Sequence, residues 1–319
     1  MFFQIPEEIK PYLSSEAMLR LKKIDMNCGV NYTSLPIFCN LLPYSRYDHS
    51  LRVSCIIYYF TKDLKQALSG LFHDISTPAF SHTIDFLNGD YIHQESTERE
   101  TREIIESDTL IQQLLRKDRI SISSVCDYHI YPIADNDSPK LSSDRLEYTL
   151  SNGVNYHFIS EEEVKDIFRD IQIGINEENE EEMMFQHEIY AERFAQLALK
   201  CGKLYSSKQD RYAMEMLAHL IKKYMNQNIL SYDDLYTDEQ QVIQKIKDDS
   251  KWIRYTNLSD VIEDKSGMIV HAKKRYIDPF VLEKGRMSQI SDTIKSEIND
   301  FLYQDLQEEK LIGVYKNGR

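Results

Sequence analysis

Apolar residues recur at three- and four-residue spacing through most of this 319-residue sequence, and only ten glycines and eight prolines interrupt them. Such spacing places the apolar side chains on one face of a helix, whereas a half-buried strand would alternate polar and apolar residues. Hydrophobic residues make up 42% of the chain, which is enough for a proper core. We therefore predict a mainly α fold built of helices joined by short turns.

The pattern also predicts where the main elements lie. A strand-like run at 268–276, continued by 277–281, predicts a small β-hairpin near residues 268–282. A soft boundary near residue 155 separates a region rich in His and carboxylates, residues 1–155, from a helical C-terminal region, residues 156–319, that packs on it. A short helix is expected after Thr77-Pro78. The other predicted helices cover residues 51–60, 64–72, 97–115, 141–151, 183–199, 211–224 and 288–306.

Composition excludes several classes of protein. The 38 Lys and Arg against 52 Asp and Glu give a net charge of −14, which argues against nucleic-acid binding through the bulk surface. Five scattered cysteines without a Cys-x-x-Cys pair indicate neither a disulfide framework nor a thiolate zinc site, so we expect a reducing, cytoplasmic location. The N-terminus lacks signal-peptide character, and no apolar run approaches the ~18 residues that span a bilayer. We expect no membrane partner.

Histidines and carboxylates concentrate between residues 46 and 148, beside predicted helix ends. Imidazole and carboxylate together suit divalent ions such as Zn, Fe, Mn, Ni or Co, and helix-borne ligands leave coordination positions open for water. A bound cation lowers the pKa of water and neutralises phosphoryl oxygens, while a nearby His can protonate the leaving oxygen. The pattern therefore predicts metal-assisted hydrolysis by residues drawn from His49, His73, Asp74, His82, Asp85, His93 and Asp144.

Four segments, in this order, resemble those of the HD-domain phosphohydrolases. They are Ser-Arg-Tyr-Asp-His-Ser-Leu-Arg-Val at 45–53, Phe-His-Asp-Ile-Ser-Thr-Pro-Ala-Phe-Ser-His at 72–82, Ile-His-Gln-Glu at 92–95 and Ser-Asp-Arg-Leu-Glu-Tyr at 143–148. The match covers roughly residues 44 to 152. Within this range the sequence is similar in particular to bacterial dGTP triphosphohydrolases and to the SAM-and-HD-domain dNTP triphosphohydrolases. The resemblance implies that residues 1–155 form an HD-domain catalytic core.

The resemblance also implies a role for each matching residue. One divalent metal ion (Mn, Fe, Zn, Ni, Co or Mg) would be bound by His49, His73, Asp74 and Asp144. Proton transfer or phosphate binding would fall to His82, His93 and Asp85. The substrate would contact Arg46, Arg145 and Tyr148. By analogy with relatives that assemble, the C-terminal half could also supply an interface for a homo-oligomer.

The sequence departs from the family at one informative place. Ser76-Thr77 stand where relatives commonly have Gly-His or a similar pair, so one phosphate-facing imidazole is absent. The spacing from His49 to His73 is compact, and no separate SAM domain or allosteric nucleotide segment is recognisable. The departure bears on the identity of the substrate.

Several residues also have plain structural interpretations. Arg46 could pair with a carboxylate, and Tyr148 could be a core residue. For His129 we favour a structural role, and for 135–137 a turn rather than a calcium loop. The basic run 273–275 could reach a triphosphate or a partner subunit, although a solvated edge strand is the favoured interpretation.

Four functional hypotheses follow. The first is hydrolysis of a deoxynucleoside triphosphate to nucleoside and triphosphate, as the resemblance implies. A second is hydrolysis of a nucleoside monophosphate or another phosphoester by the same chemistry. The third is a metal-containing protein that binds nucleotides without cleaving them. An RNA or DNA phosphodiesterase is the fourth, disfavoured by the net charge of −14.

Overall fold

A computed structural model describes residues 4–87, 100–270, 273–304, 306 and 309–316. Helices dominate this part of the chain, in agreement with the predicted mainly α fold. Fifteen α-helices lie in it: α1 Glu16–Leu21, α2 Arg46–Thr61, α3 Leu64–Phe72, α4 Thr83–Leu87, α5 Thr101–Ser107, α6 Thr109–Asp118, α7 Ser143–Asn155, α8 Glu161–Arg169, α9 Glu188–Tyr205, α10 Lys208–Asn226, α11 Tyr232–Leu235, α12 Glu239–Ile246, α13 Ser250–Thr256, α14 Met287–Ile290 and α15 Asp292–Tyr303.

Two small sheets accompany the helices in the described residues. The strands are β1 Ile171–Ile175, β2 Glu181–Phe185, β3 Leu258–Ile269, β4 Phe280–Val281, β5 Gly285–Arg286 and β6 Lys310–Tyr315. One sheet has the order β1-β2-β4-β5, in which β2 and β4 are parallel and the other pairs antiparallel. The other sheet is the antiparallel pair of β3 with β6. Both sheets belong to the C-terminal half.

Polar caps fix where the site-bearing helices begin. Ser45 starts α2 with a capping box, because its hydroxyl accepts from the Asp48 amide while the Asp48 carboxylate accepts from the Ser45 amide. Asp63 caps α3, and the Ser142 hydroxyl caps α7 by accepting from the Arg145 amide. The candidate metal ligands lie near the ends of these helices, so the caps that fix the helix ends also fix the positions of the ligands.

Three clusters of buried apolar side chains form the core. One is built from residues between 9 and 134, including α2 and α3. The second joins residue 56 and α7 to α9 and α15, and the third joins the segment 28–38 to α10 and the β3-β6 pair. Two of the clusters therefore cross residue 155, and the two proposed regions share their hydrophobic cores.

Several predicted helix boundaries are wrong for identifiable reasons. The predicted helix 97–115 is two helices in its described part, since Asp108 ends α5 and caps α6. The predicted stop at Asn152-Gly153 is absent, because Gly153 packs inside α7 where a Cβ would lie 2.9 Å from Ile159 and Leu197. The helix expected after Thr77-Pro78 begins only at Thr83.

The β structure lies partly where the sequence predicted it. The region 268–282 contains the end of β3 and all of β4, but β3 pairs with β6 and β4 pairs with β5 and β2. Residues 183–185, predicted to begin a helix, instead end β2, which has four consecutive buried residues, and α9 begins only at Glu188. A short buried run does not distinguish strand from helix by periodicity. The predicted final helix is divided between α14 and α15.

Among the described residues, no helix combines the length and the apolar character needed to cross a bilayer.

Candidate metal centre and its cavity

Close packing of α3 on α2 brings His49 and His73 together. His49 lies in the first turn of α2, one turn after Arg46, and both side chains are buried. His73 and Asp74 directly follow the last residue of α3. The two helices can approach because Gly70 has no side chain, and a Cβ there would lie 2.2 Å from the Ile57 Cδ1 atom.

Three candidate ligands form a tight cluster. One ligand atom from each of His49, His73 and Asp74 lies within 4.8 Å of the others. The two Nε2 atoms are 3.2 Å apart, and the Asp74 Oδ2 atom is 3.9 Å from the first and 3.6 Å from the second. Neighbouring ligands about 2.0–2.2 Å from one ion are separated by about 3 Å. The cluster is therefore of a size that could hold a divalent metal ion.

The hydrogen bonds of both imidazoles direct their Nε2 lone pairs into this cluster. His73 Nδ1 donates to the Gly70 carbonyl at 2.7 Å, and because a carbonyl only accepts, the proton of a neutral ring lies on Nδ1. His49 Nδ1 lies 2.5 Å from the Glu147 Oε2 atom. The two Nε2 atoms are 3.2 Å apart, so this position requires a positive charge, which either a proton on His49 or a metal ion can supply. The donor set thus fits a metal ion.

Asp144 stands beside the three-residue cluster. It lies in the first turn of α7, and its Oδ1 atom is 2.9 Å from His49 Nε2 and 3.6 Å from His73 Nε2. Its side chain is 19% exposed, more than that of any of the other three. Asp144 thus borders the three-residue cluster on its more exposed side.

The Arg46 side chain is hydrogen-bonded to Asp74, one of the candidate metal ligands. Its Nη1 atom donates to both Asp74 oxygens, at 2.9 and 3.2 Å, and its Nε donates to the Ser81 hydroxyl at 3.1 Å. Burial favours the protonated form of Asp74, but Arg46 and the two imidazoles outweigh it and hold the pKa of Asp74 well below its usual range. Arg46 therefore keeps Asp74 ionised and oriented.

The Ser76-Thr77 departure also has a structural explanation. Thr77 donates its hydroxyl hydrogen to the Asp74 Oδ1 atom at 2.9 Å, and the Ser76 hydroxyl lies 2.9 Å from that of Thr101. Both residues are buried. The hydroxyls support Asp74 and anchor α5, which a phosphate-facing imidazole would not do.

His49 is held in a protonated state when only protein groups surround it. Burial lowers its pKa, but the hydrogen bonds and charges of Asp144 and Glu147 outweigh burial and raise the pKa to about 10. A positive charge is thus favoured where the ligands meet. A metal cation at this position would replace that proton.

A cavity of about 530 Å³ opens onto the candidate ligands. That volume lies in the usual range of small-molecule sites. His82 lines it, and its Nδ1 atom lies 2.9 Å from the Oδ2 atom of the fully buried Asp85. Burial lowers the pKa of His82 in spite of the opposing contribution of Asp85. His82 therefore presents a largely neutral, oriented ring beside the candidate metal ligands.

The other predicted site residues differ in their positions. Tyr148 lines the cavity, where its ring makes an edge contact with Tyr205. Arg145 also lines it, but its guanidinium binds the loop at 135–142 through Asp135, Asn136 and Ser142. That network makes Arg145 a support of the loop. His93 lies outside the described residues.

His129, for which a structural role was favoured, and the basic run 273–275, for which an edge strand was favoured over a substrate contact, both lie at the cavity. His129 is half-exposed beside Asp127 and lines the cavity. Lys273 and Arg275 line the cavity too, and the described part of 270–279 is not a strand. The expected edge strand is therefore wrong for these residues. Their position depends on how the C-terminal half folds over the core, which local sequence does not encode.

Sequence reasoning missed Glu147. Its side chain is 2% exposed and accepts from His49 Nδ1, from the Tyr44 hydroxyl and, at 2.5 Å, from the Ser151 hydroxyl. A carboxylate on the outer nitrogen of a metal-bound imidazole fixes the ring and raises its basicity. The signal was present, because Glu147 lies three residues after Asp144 and therefore on the same side of α7.

The region that contains the candidate ligands matches a known protein family. Residues 46–163 match the family model of the HD domain. The Bacillus subtilis protein YdhJ is 27% identical over 288 residues, which cover 85% of each chain. The metal-dependent phosphohydrolase cns2 of Cordyceps militaris is 25% identical over 130 residues, 39% of this chain and 35% of that protein.

A solved structure has the same fold. The crystal structure of a phosphohydrolase from Bacteroides thetaiotaomicron superposes with a TM-score of 0.65 at 12% identity, covering 98% of this chain and 97% of that one. At that identity the likeness concerns the fold. Residues 46–163 therefore carry an HD domain, and the His-Asp cluster of His49, His73 and Asp74 lies within it.

Proposed function

We propose that this protein hydrolyses a phosphoester bond of a nucleotide, with a deoxynucleoside triphosphate, cleaved to deoxynucleoside and triphosphate, as the first candidate substrate. The observation that carries the proposal is the cluster of His49, His73 and Asp74 on the wall of a 530 Å³ cavity that basic side chains also line. Residues with this placement can bind a metal ion and a phosphate group side by side.

The metal site is assigned to His49, His73, Asp74 and Asp144. A divalent ion held there supplies a Lewis acid for phosphoryl oxygens and lowers the pKa of bound water. The protein groups keep the ligands ready: Glu147 and the Gly70 carbonyl orient the two imidazoles, and Arg46 with Thr77 orients Asp74. The two imidazoles and Asp74 are then already oriented for the ion.

His82 is the proposed proton carrier among the described residues. Its Nδ1 atom is fixed by Asp85, which leaves Nε2 to exchange a proton with the ligand in the cavity. The ring is largely neutral at pH 7 because burial lowers its pKa, but a bound phosphate dianion would favour the charged form. The protonated ring can then donate to the leaving oxygen, a role that His93 would share.

Arg275 and Lys273 are the proposed phosphate contacts from the C-terminal half. Both line the cavity, and the positive charge of Arg275 acts on His82 and on Tyr148. Cations in these positions offset the net charge of −14 locally, because nearby charges outweigh screened distant ones. Arg46 and Arg145 are already bound to protein groups, so Tyr148 is the predicted substrate contact that we retain beside them.

The test is chromatographic product analysis with each dNTP, NTP and NMP over a panel of Mn, Fe, Co, Ni, Zn and Mg. Wild type should release nucleoside and triphosphate, Asp74→Ala should release neither, and the exposed-site control Asp233→Ala should match wild type. Tight nucleotide binding without turnover under any ion would overturn the proposal in favour of a non-catalytic binding protein.

A nucleoside monophosphate is the second candidate substrate. It is favoured by Ser76 and Thr77, whose hydroxyls are bound to Thr101 and Asp74 where relatives offer another imidazole to a phosphate chain. A site with fewer phosphate contacts suits a shorter phosphate chain. Release of inorganic phosphate from monophosphates alone in the same panel would select this substrate.

A further inference from the structure

The cavity has a second set of lining residues, distinct from the candidate metal ligands. We call the part of the wall formed by Asn27, Tyr156, Tyr205, Asp210 and Met214 the Asp210 subsite. Asp210 lies in the first turn of α10, where its amide donates to the Ser207 hydroxyl at 3.2 Å. The backbone of the aspartate is therefore fixed by the helix cap.

The neighbouring polar groups of the subsite are hydrogen-bonded to other protein groups. The Asn27 Oδ1 atom accepts from the Tyr156 hydroxyl at 3.2 Å, and its Nδ2 atom donates to Asp25 at 2.7 Å. The Tyr205 hydroxyl accepts from the Asn152 amide at 2.7 Å. These bonds hold both tyrosine rings in place as a preformed wall.

Asp210 differs from these neighbours. Within the described part of the chain, no side chain or backbone group donates a hydrogen bond to its carboxyl group. The adjacent Arg211 is turned away, because its guanidinium donates to the carbonyls of Val270 and Leu306 and to the Glu309 carboxylate. Burial raises the pKa of Asp210 to about 8, with only a smaller opposing effect of Arg211. A partly buried carboxyl group without donors is costly unless a ligand supplies one.

We infer that Asp210 binds a hydrogen-bond donor on the non-phosphate half of the substrate, and that the donor belongs to an amino-bearing nucleobase. A base is the chemistry that fits, since the aromatic residues Tyr156 and Tyr205 and the polarizable Met214 line the cavity with Asp210. This inference rests on the proposed function, and it names the part of the substrate that determines specificity.

A site built around one hydrogen bond discriminates by leaving its own polar group unpaired when the wrong ligand binds. Adenine, guanine and cytosine carry an exocyclic amino group, whereas uracil carries an oxygen at the corresponding place. Above about pH 8 the Asp210 carboxyl group is ionised, and the oxygen would face it without a hydrogen. At lower pH the protonated carboxyl group can donate to that oxygen, so Asp210 should favour the three amino-bearing bases over uracil only above about pH 8.

Calorimetric titration with adenosine, guanosine, cytidine and uridine at a pH above about 8, where Asp210 is ionised, tests the subsite without any phosphate or turnover. Wild type should bind at least one amino-bearing nucleoside more tightly than uridine. Asp210→Asn, which adds an amide donor, should reduce that preference about 10-fold. The exposed Asp233→Asn variant should keep it. Equal binding of all four nucleosides, no binding of any, or an unchanged preference in Asp210→Asn would overturn the inference.

Activity assays separate this inference from the proposed function. The ratio of kcat/KM for an amino-bearing nucleotide to kcat/KM for p-nitrophenyl phosphate should fall about 10-fold in Asp210→Asn. If that ratio is unchanged while nucleotides are still cleaved, the subsite is wrong and the function stands. If wild type cleaves no nucleotide but discriminates nucleosides through Asp210, the function is wrong and the subsite stands.

Discussion

The Glu147 carboxylate lies 2.5 Å from the Nδ1 atom of His49, on the side of the ring that faces away from His73 and Asp74. Tyr44 and Ser151 donate to the same carboxylate, and the Arg52 guanidinium lies 3.5 Å from it. Glu147 is therefore held in place by several groups, and it in turn fixes the orientation of the His49 imidazole.

Replacing Glu147 should weaken metal binding although Glu147 would not touch the ion. Glu147→Gln keeps the shape of the side chain but removes the charge that orients and polarises His49. We expect metal affinity to fall about 10- to 100-fold. Calorimetric titration of the metal-free protein with Mn²⁺ measures the change.

Glu161→Gln is the matched control, since Glu161 is an exposed glutamate on the neighbouring helix α8. An affinity of Glu147→Gln equal to that of wild type would mean that Glu147 serves only to satisfy Tyr44 and Ser151.

Metal affinity should rise with pH because the ion competes with a proton on His49. Without metal, burial lowers the pKa of His49 but Asp144 and Glu147 raise it more strongly, to about 10. The ring is then protonated throughout the range from about pH 6 to 8, and each binding event must release that proton. We expect the affinity for Mn²⁺ to increase about 10-fold per pH unit.

Titration in two buffers of different ionisation enthalpy should count about one proton released per ion. Binding that neither releases a proton nor depends on pH would contradict the displacement of a proton from His49 by the ion.

How much of the site the sequence could predict depends on where each residue comes from. His49, His73 and Asp74 lie at helix ends marked by caps and apolar periodicity, and the structure brings them within 4.8 Å. Glu147 was recoverable, because it is one turn from Asp144 on α7. These residues belong to short helical segments whose local pattern is strong.

The positions of Arg275 and Asp210 at the cavity could not be predicted from the local sequence pattern. They come from the segment after β3 and from the start of α10, and they reach the cavity because two apolar clusters join both sides of residue 155. The β1-β2 hairpin was missed for a related reason, since its buried run at 182–185 lacks alternation. Long-range packing decides such positions, and periodicity in a single sequence does not report it.

Gly202→Ala should change the shape of the cavity although Gly202 does not line it. A Cβ at Gly202 would lie 2.1 Å from the Arg275 carbonyl oxygen, a backbone atom that cannot rotate away. The segment carrying Arg275 must therefore shift. We expect a loss of about 1–3 kcal/mol in the free energy of unfolding, and a fall of about 10-fold in kcat/KM.

Urea denaturation and steady-state kinetics give the two quantities. Lys203→Ala, at an exposed position next to Gly202 on α9, is the control and should change neither. A loss of stability with unchanged kcat/KM would mean that Arg275 does not contribute to substrate binding.

Asp210 should make the folded protein less stable as pH rises. Its pKa is about 8 in the folded state against an ordinary value of 3.8, so between these values the folded state holds a proton that the unfolded state has lost. The stabilisation is complete below pH 3.8 and disappears as pH rises through about 8. The surrounding titratable groups Cys28, Tyr156 and Tyr255 stay neutral over this range, because burial raises the pKa of each.

Asp210→Asn should therefore have a Tm about 2–4 °C above wild type at about pH 9 and close to it at about pH 5. Differential scanning calorimetry of both proteins and of Asp233→Asn across this pH range measures the effect, and a Tm difference independent of pH would show that Asp210 is ionised throughout.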